Sequence, residues 1–150
     1  MRQVIAHEGP VLDRVIMRRI TQAYGFKRAG NRIQDRLSTL LASIPTRSLH
    51  LSQPVYWPDD VDVSAWSDIR LMGDRDLSEI PVIEMANAGR AVLALLVVAD
   101  EAIVMREMGV LFGAGRVTRQ AQDKLRAGLD FLKTQGEVEE TPNGLKLIAG

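Results

Sequence analysis

The spacing of apolar residues in the first third of the chain predicts helices followed by a hairpin. A short segment at Val4-Ile5 precedes the break at Gly9-Pro10. The next stretch repeats apolar residues three and four apart, the spacing of one helix face, and stops at Gly25. Asn31 is expected to cap a further helix. Its predicted inner face consists of Ile33, Leu37, Leu40 and Leu41. Residues 49–52 and 54–57 are expected to pair as strands.

The second half of the chain shows the same predicted order, helices followed by a hairpin, with clearer signals. Pro81 suits the first turn of a long helix whose apolar face is Met85, Ala88, Val92, Leu95 and Leu96. Asp100 or Glu101 starts the next helix, and Gly113-Ala114-Gly115 stops it. Its expected buried residues are Ile103, Met105, Met108 and Phe112. Thr118 is a good cap for the third helix, and residues 137–141 and 145–148 read as a hairpin around Asn143-Gly144.

An internal repeat relates the two halves. Residues 14–41 align without a gap on residues 102–129, 88 positions later, and eight of the 28 pairs are identical. Average residue usage gives roughly two identities by chance. The identical pairs are Met17/Met105, Arg18/Arg106, Gly25/Gly113, Arg28/Arg116, Gln34/Gln122, Asp35/Asp123, Leu37/Leu125 and Leu41/Leu129. Such a repeat indicates one supersecondary unit used twice.

Three helices and a hairpin follow one another in the order typical of a winged helix, with the second and third helices as its helix-turn-helix pair. The predicted fold is therefore mainly α with short β-hairpin wings, built from tandem winged-helix-like (helix-turn-helix) repeats. The predicted units are residues 1–57 and residues 80–150. An acidic connector over residues 58–79 joins them. Whether the two units share one core stays open at this stage.

Several strings resemble an uncharacterised bacterial domain of unknown function. They are Glu8-Gly9-Pro10-Val11, Arg18-Arg19-Ile20 and residues 23–33 for its first half, and Glu79-Ile80-Pro81, residues 84–88, Gly113 and Arg116 for its second half. Residues 114–118 depart from the domain's aromatic-x-Arg-x-Gly pattern. That domain lies near the C-terminus of large superfamily-I DNA helicase-like proteins, beside a restriction-endonuclease-like segment. The resemblance implies an accessory domain that works with the helicase and nuclease domains of a parent protein.

The composition and motifs of the chain argue against most classes of enzyme. The chain has no cysteine and only two histidines, His7 and His50, so thiol catalysis and multi-histidine metal sites are not expected. No phosphate-binding loop of the Gly-x-x-x-x-Gly-Lys-[Ser/Thr] type occurs. We therefore expect no enzyme activity, no cofactor and no metal. The longest apolar run, residues 91–99, is far shorter than the ~20 residues of a membrane span, and no signal peptide is recognised, so a cytoplasmic location is expected.

Charge is segregated although the formal net charge is zero. Residues 14–47 carry a net +7, residues 58–107 a net −7 and residues 108–150 a net +1. Such asymmetry is typical of chains that bind a polyanion. The alternative is that the acidic part neutralises the basic part within the fold.

The basic part coincides with the places where a helix-turn-helix touches nucleic acid: the turn and the first residues of its second helix. The candidate nucleic-acid-binding residues are Lys27, Arg28, Asn31, Arg32, Gln34, Arg36, Arg116 and Arg119. The first copy is favoured, because Glu137, Glu139 and Glu140 in the second wing would repel phosphates. A basic helix face that is merely solvated is the alternative. The type of nucleic acid, its sequence and the oligomeric state stay open.

Other repeated or aromatic residues are better explained structurally. Arg18 and Asp35 are separated by the same 17 residues as Arg106 and Asp123, and each pair is expected to join two helices as an ion pair. Trp57 and Trp66 are expected to be hydrophobic anchors rather than platforms for unpaired bases.

The predicted function is a non-catalytic nucleic-acid-binding accessory module, with DNA as the expected ligand class, in a helicase- or nuclease-type DNA-processing protein. The alternative is a protein-docking module that makes no direct contact with nucleic acid.

Overall fold

The computed structural model describes residues 1–45, 48–50 and 53–148. The chain divides into two units, Met1–Trp66 and Ser67–Gly150. Residues 58–66 of the predicted connector thus belong to the first unit and residues 67–79 to the second. The described structure is mainly α-helical with small antiparallel sheets, which confirms the predicted fold class at this level.

The first unit combines three helices with a three-stranded sheet. Its elements are α1 (Arg2–Glu8), β1 (Val11–Leu12), α2 (Asp13–Ala23), α3 (Asn31–Ala42), β2 (Ser48–His50) and β3 (Gln53–Tyr56). Strand β3 is central and antiparallel to both neighbours. The expected hairpin is confirmed for these strands, whereas Leu51 and Ser52 lie outside the described residues. Strand β1 was not predicted, because two residues are too few to show an alternating pattern.

The second unit has the same order of elements after a 3-10 turn (Leu77–Glu79). Its elements are α4 (Val82–Leu96), β4 (Val98–Ala99), α5 (Glu101–Leu111), α6 (Arg119–Thr134), β5 (Val138–Thr141) and β6 (Gly144–Leu147). Strand β6 is central in an antiparallel sheet of order β4-β6-β5. The predicted terminal hairpin is confirmed, with Pro142-Asn143 between its strands.

The internal repeat is also a structural repeat. Helices α2 and α5 have the same bounds when 88 is added, and α3 and α6 begin at equivalent residues. The turn between the helices of each pair passes through a glycine with a positive φ, 76° at Gly25 and 79° at Gly113. A left-handed residue is strained for most side chains, so these two glycines let the chain leave one helix and start the next.

The N-caps of α3 and α6 are equivalent positions of the repeat, although their residue types differ. Thr118 caps α6 as predicted, and its hydroxyl accepts a hydrogen bond from the Ala121 N–H at 3.2 Å. The prediction that Asn31 caps α3 is wrong, because Gly30 is the N-cap and Asn31 is the first helical residue. Gly30 is the repeat equivalent of Thr118 and has the same extended backbone.

The core of the second unit is formed where α4 crosses α6. Gly128 of α6 allows this close approach, since a Cβ built there would lie 2.7 Å from the Met85 Cβ and 2.9 Å from the Met85 carbonyl carbon. Most of the predicted inner residues of α4 and α5 are buried: Met85, Ala88, Val92, Met105, Met108 and Phe112. Leu125, Leu129 and Leu132 of α6 are buried with them. Leu95, Leu96 and Ile103 were expected inside but are exposed, because apolar residues occur around most of α4 and α5 and only one side of each helix meets the core.

The first unit buries fewer of its predicted inner residues. Leu37 and Leu41 of α3 are buried with Val15 and Ile16 of α2. The prediction that Ile33 and Leu40 face inward is wrong, because 40% and 46% of their surfaces are exposed. No neighbouring element covers that side of α3 within the described part of this unit.

Trp57 is an anchor, as predicted. Its side chain is 4% exposed, and its ring meets the Trp66 ring edge to face with the ring centroids 5.4 Å apart. A buried ring of this kind offers no face for an unpaired base to stack on.

The two predicted helix-joining ion pairs do not form. Arg106 instead pairs with its neighbour Glu107 at 2.8 Å, and Asp123 lies 3.9 Å from Arg126 on its own helix. In the described part of the first unit, the structure shows no ion pair between Arg18 and the exposed Asp35. Long side chains on the exposed faces of adjacent helices gain more from near neighbours than from reaching across to the next helix.

A buried polar cluster attaches residues 68–75 to α4. Glu84 is fully buried, and its carboxylate accepts hydrogen bonds from the Arg70 backbone N–H at 2.8 Å and from Arg70 Nη2 at 2.6 Å. Arg75 Nη1 lies 3.4 Å from the same carboxylate. Asn87 donates to the Asp68 carbonyl oxygen at 3.1 Å. A buried carboxylate needs such partners, so this cluster fixes residues 68–75 beside the core.

Gly128→Ala is expected to destabilise the second unit although alanine is the better helix former. The added methyl would overlap the Met85 backbone, and overpacking of this kind removes about 1–3 kcal/mol from the free energy of unfolding. Urea denaturation followed by circular dichroism measures the loss. Gly115→Ala is the control, since a Cβ at Gly115 meets nothing within 4 Å. Equal stability of both variants would contradict the proposed role of Gly128.

Glu84→Gln is expected to lower the free energy of unfolding by about 2 kcal/mol, because Arg70 and Arg75 lose the charge that they surround. The same substitution at the surface ion pair, Glu107→Gln, should change it by less than ~1 kcal/mol. The two denaturation midpoints, measured side by side, test this difference. Midpoints that shift equally would show that the buried cluster adds no more than a surface pair.

Candidate nucleic-acid interface

The turn between α2 and α3 presents the first two predicted cations. Gly25 redirects the chain, and the Phe26 N–H donates to the Thr21 carbonyl oxygen at 3.1 Å, which fixes the start of the turn. Lys27 and Arg28 follow on its exposed side. Both residues therefore lie exposed in the turn that joins α2 to α3.

The first two turns of α3 carry the other predicted residues of this unit. Asn31, Arg32, Gln34 and Arg36 are all exposed. No side chain caps the N-terminus of α3. In the described part of the chain, Lys27, Arg28, Arg32 and Arg36 form no ion pair. The structure does not place all six on one surface: Lys27, Arg28 and Gln34 lie together, whereas Arg32 and Arg36 line a separate hollow beside Ile33 and Leu40.

Two basic residues of α2 lie beside Lys27, Arg28 and Gln34 and were not among the predicted site residues. Arg14 and Arg18, one helical turn apart, line a shallow depression together with Lys27, Arg28 and Gln34. Their spacing of four residues puts both on the same side of α2, and this was a signal in the sequence that could have identified them. We call the surface formed by Arg14, Arg18, Lys27, Arg28 and Gln34 the basic depression.

Arg116 and Arg119, the predicted residues of the second unit, are exposed at the equivalent turn. Counted over the turn and the start of the following helix, residues 26–37 carry a net charge of +3 and the equivalent residues 114–125 a net +2. The second unit therefore carries one positive charge less at this turn.

The hairpin of the second unit is acidic. Arg90 Nη2 donates to Glu137 at 2.8 Å, and this bond lowers the pKa of Glu137 below its ordinary value. The Arg126 hydrogen bond at 2.9 Å likewise lowers the pKa of Glu101. Glu139 and Glu140 are exposed on β5. Each of them has a basic neighbour: Lys133 Nζ lies 2.6 Å from Glu140, and Lys146 Nζ lies 3.9 Å from Glu139.

The described residues contain no candidate metal site, because no three His, Asp or Glu side chains among them converge so as to hold a metal ion. None of the helices described is long and apolar enough to cross a bilayer.

The residues that carry the family resemblance divide into two groups. Glu8 accepts a hydrogen bond from Arg19 Nε at 2.6 Å, and a Cβ on Gly9 would lie 2.5 Å from Pro58 Cδ. These residues hold the first unit together. Lys27, Arg28 and Asn31 belong to the same resemblance but have no comparable packing role, since all three are exposed.

A family model described as a protein of unknown function, DUF3320, matches residues 1–35. The matched segment contains α1, β1, α2, the basic turn and the start of α3. It covers under a quarter of the 150 residues, and it includes Gln34 but not Arg36. Comparison with curated proteins and with solved structures gives no match.

Glu137→Gln is expected to reduce the acid sensitivity of the second unit. A carboxyl whose pKa is lower in the folded chain contributes stability above its unfolded pKa and loses it as the pH falls through the folded value. The wild-type chain should therefore lose stability below the ordinary glutamate range more steeply than Glu137→Gln. Urea denaturation between pH 3 and 7 gives both curves. Glu139→Gln, on the same strand, is the control, and parallel curves for all three proteins would contradict the expectation.

Proposed function

We propose that each unit is a winged helix and that α2 and α3 are the helix-turn-helix of the first. The order helix, strand, helix, helix, strand, strand, with the last strand central in the sheet, supports this assignment for both units. In such a fold the second helix of the pair approaches the groove of a duplex.

The chain then acts as a non-catalytic nucleic-acid-binding module, with DNA as the expected ligand. The observation that carries this proposal is the group of exposed cations around the start of α3, for which the described residues supply no carboxylate partner. Acidic residues of the second unit such as Glu84 and Glu101 pair with arginines of that unit. This argues against the alternative in which the acidic part serves to neutralise Arg28 and Arg32.

The residues divide by their chemistry. Lys27 and Arg28 approach phosphates, as do Arg14 and Arg18 from α2, and the uncapped N-terminus of α3 favours an anion at the same place. Asn31 and Gln34 have amide groups able to read adenine edges. Arg32 and Arg36 extend the positive surface along α3. Arg116 and Arg119 provide a secondary contact.

We place this module in a cytoplasmic DNA-processing protein of the helicase or nuclease type. The resemblance of residues 8–33 and the family match over residues 1–35 support a shared accessory domain. The parent protein's other domains would supply catalysis, while this chain holds the nucleic acid.

Lys27→Ala/Arg28→Ala is expected to weaken binding to random-sequence duplex DNA about tenfold at low salt. Each phosphate contact contributes about 0.9 to the slope of log K against log salt, so the slope should fall by about 2. Fluorescence anisotropy over a salt series measures affinity and slope, and labelled single-stranded DNA of the same length tests the alternative strand form.

Arg116→Ala/Arg119→Ala is the matched control, because it removes the same charge from exposed residues of the equivalent turn. Its effect should be clearly smaller. Equal effects of the two variants would reject the first unit as the main contact. Absence of binding by the wild-type chain at low salt would reject the proposal and favour the protein-docking alternative.

A further inference from the structure

The basic depression collects charge from three elements of the first unit. Arg14 and Arg18 reach it from α2, Lys27 and Arg28 from the turn, and Gln34 from α3. Its volume is about 320 Å³, and no carboxylate lies among the described residues that line it. Four cationic side chains therefore share one small hollow, and its described lining supplies no anion to balance them.

The floor of the basic depression is held in place by the fold, and charged groups stand at its edge. Thr21 is buried and Met17 is half-buried, and the Thr21 hydroxyl donates to the Met17 carbonyl oxygen at 2.7 Å. Arg14, Lys27 and Arg28 are exposed and form no ion pair in the described part of the chain. A ligand that rests on this floor therefore meets cations from α2 and from the turn.

The internal repeat forms a second depression at the equivalent place, between α5, the following turn and α6. Both depressions have a methionine, an arginine and a glutamine at equivalent positions of their linings. These pairs are Met17/Met105, Arg18/Arg106 and Gln34/Gln122. The hollow between the paired helices is therefore a feature of the repeated unit.

The two depressions differ in charge. Ala102 and Gly115 line the second depression where Arg14 and Lys27 line the first. Both arginines of the second lining form ion pairs with glutamates, at 2.8 and 2.9 Å. Because the second hollow forms without the extra cations, the charge of the basic depression is not needed to hold its helices together. That charge is available for a ligand.

We propose that the basic depression binds a terminal phosphate of a nucleic-acid strand, a phosphate monoester, in preference to a phosphate inside the strand. The inference rests on the proposed nucleic-acid contact and specifies which group of the ligand enters the depression. A monoester carries a charge of about −1.5 to −2 at pH 7. A phosphate inside a strand carries a single negative charge, so it satisfies fewer of the four cations.

The number of acceptor atoms also distinguishes the two kinds of phosphate. A phosphate inside a strand has only its two non-bridging oxygens free of ester bonds. A terminal phosphate has three such oxygens and is joined to the strand on one side only. Arginine presents its N–H groups as a planar fork that matches a pair of phosphate oxygens. Donors that surround one hollow from α2, the turn and α3 are therefore used more fully by a terminal phosphate.

The distribution of the cations favours the end of a strand as well. Phosphates inside a strand follow one another along the backbone, so the cations that bind them are spread along a surface. A hollow of about 320 Å³ lies at the lower limit of ligand clefts in proteins, about 300–1,000 Å³, and suits a single group. Arg32 and Arg36 line a different hollow and stay available to internal phosphates.

The probes are duplexes of about 12 base pairs, roughly one turn of B-DNA, with fluorescein on an internal base. They have 5′-phosphates, 3′-phosphates or hydroxyls at both ends, which separates the two possible sources of a terminal phosphate. A hydroxyl-ended duplex about two base pairs longer carries the same total charge as the phosphorylated ones and controls for charge alone. Single strands with the same three kinds of end repeat the measurement for that form of ligand.

Fluorescence anisotropy with the full chain should show that one phosphorylated form binds about tenfold more tightly than the longer hydroxyl-ended control. Arg14→Ala/Lys27→Gly should reduce this ratio to about one, because the remaining cations no longer surround the hollow. Both substitutions introduce the residue of the equivalent position in the second unit, where the same hollow forms.

Arg32→Ala/Arg36→Ala is the matched control, because it removes the same charge from exposed residues of this unit that lie outside the depression. It should weaken binding of every oligonucleotide and keep the preference for a phosphorylated end. Circular dichroism and tryptophan fluorescence confirm that both variants are folded, the latter reporting on the first unit, which contains both tryptophans.

Equal affinity for the phosphorylated duplexes and the longer control would overturn the inference and leave the proposed nucleic-acid contact in place. A preference that survives in Arg14→Ala/Lys27→Gly, or that is lost equally in Arg32→Ala/Arg36→Ala, would place the terminal phosphate outside the basic depression and also overturn it. Absence of binding to every oligonucleotide at low salt would reject the inference together with the proposed function.

Discussion

The close approach of α4 and α6 at Gly128 is the contact on which the second unit depends. A glycine at this position lets Met85 lie against the α6 backbone, and that approach brings α4 near enough to bury Leu125, Leu129 and Leu132. Once α4 is in place, its outer side offers Glu84 and Asn87 to residues 68–75, and the buried carboxylate holds them there through Arg70 and Arg75. The polar cluster therefore depends on the packing of α4 on α6, because Glu84 is buried beside Arg70 and Arg75 only when α4 is docked.

The same order of elements in the first unit leads to a different surface. In the described part of this unit, Ile33 and Leu40 on the apolar side of α3 are exposed, whereas α4 packs against the equivalent side of α6. The cations on α3 also remain without carboxylate partners in the described residues, whereas Arg126 and Lys133 of α6 share Glu101 at 2.9 and 3.1 Å. The equivalent helices therefore differ: α6 has the side around Gly128 covered and shares a carboxylate with α5, whereas the corresponding groups of α3 are exposed among the described residues.

Local signals made much of the fold predictable. The glycines at 25 and 113, the cap at Thr118 and the terminal hairpin depend on neighbouring residues, so the sequence contains the information directly. Strands β1 and β4 were not predicted, because each has only two residues and forms only by pairing with a strand far away in the sequence. Ile33 and Leu40 were misassigned for a related reason: helical periodicity identifies an apolar face, but only tertiary structure decides whether another element covers it. The candidate cations lie on the turn and on α3, where the helix boundaries in the sequence put them, and the spacing of Arg14 and Arg18 ahead of that turn could have added these two.

Charged and apolar groups are separated around α3. Lys27, Arg28 and Gln34 line a shallow depression with Arg14 and Arg18 of α2. Tyr24 and Phe26, which precede α3, form an exposed apolar patch with Ile33 and Leu40 of α3. Large apolar side chains exposed together lower solubility, and phosphate contacts need charge and hydrogen-bond donors instead. The apolar patch therefore has no part in the proposed contact with phosphates, which depends on the charged side alone.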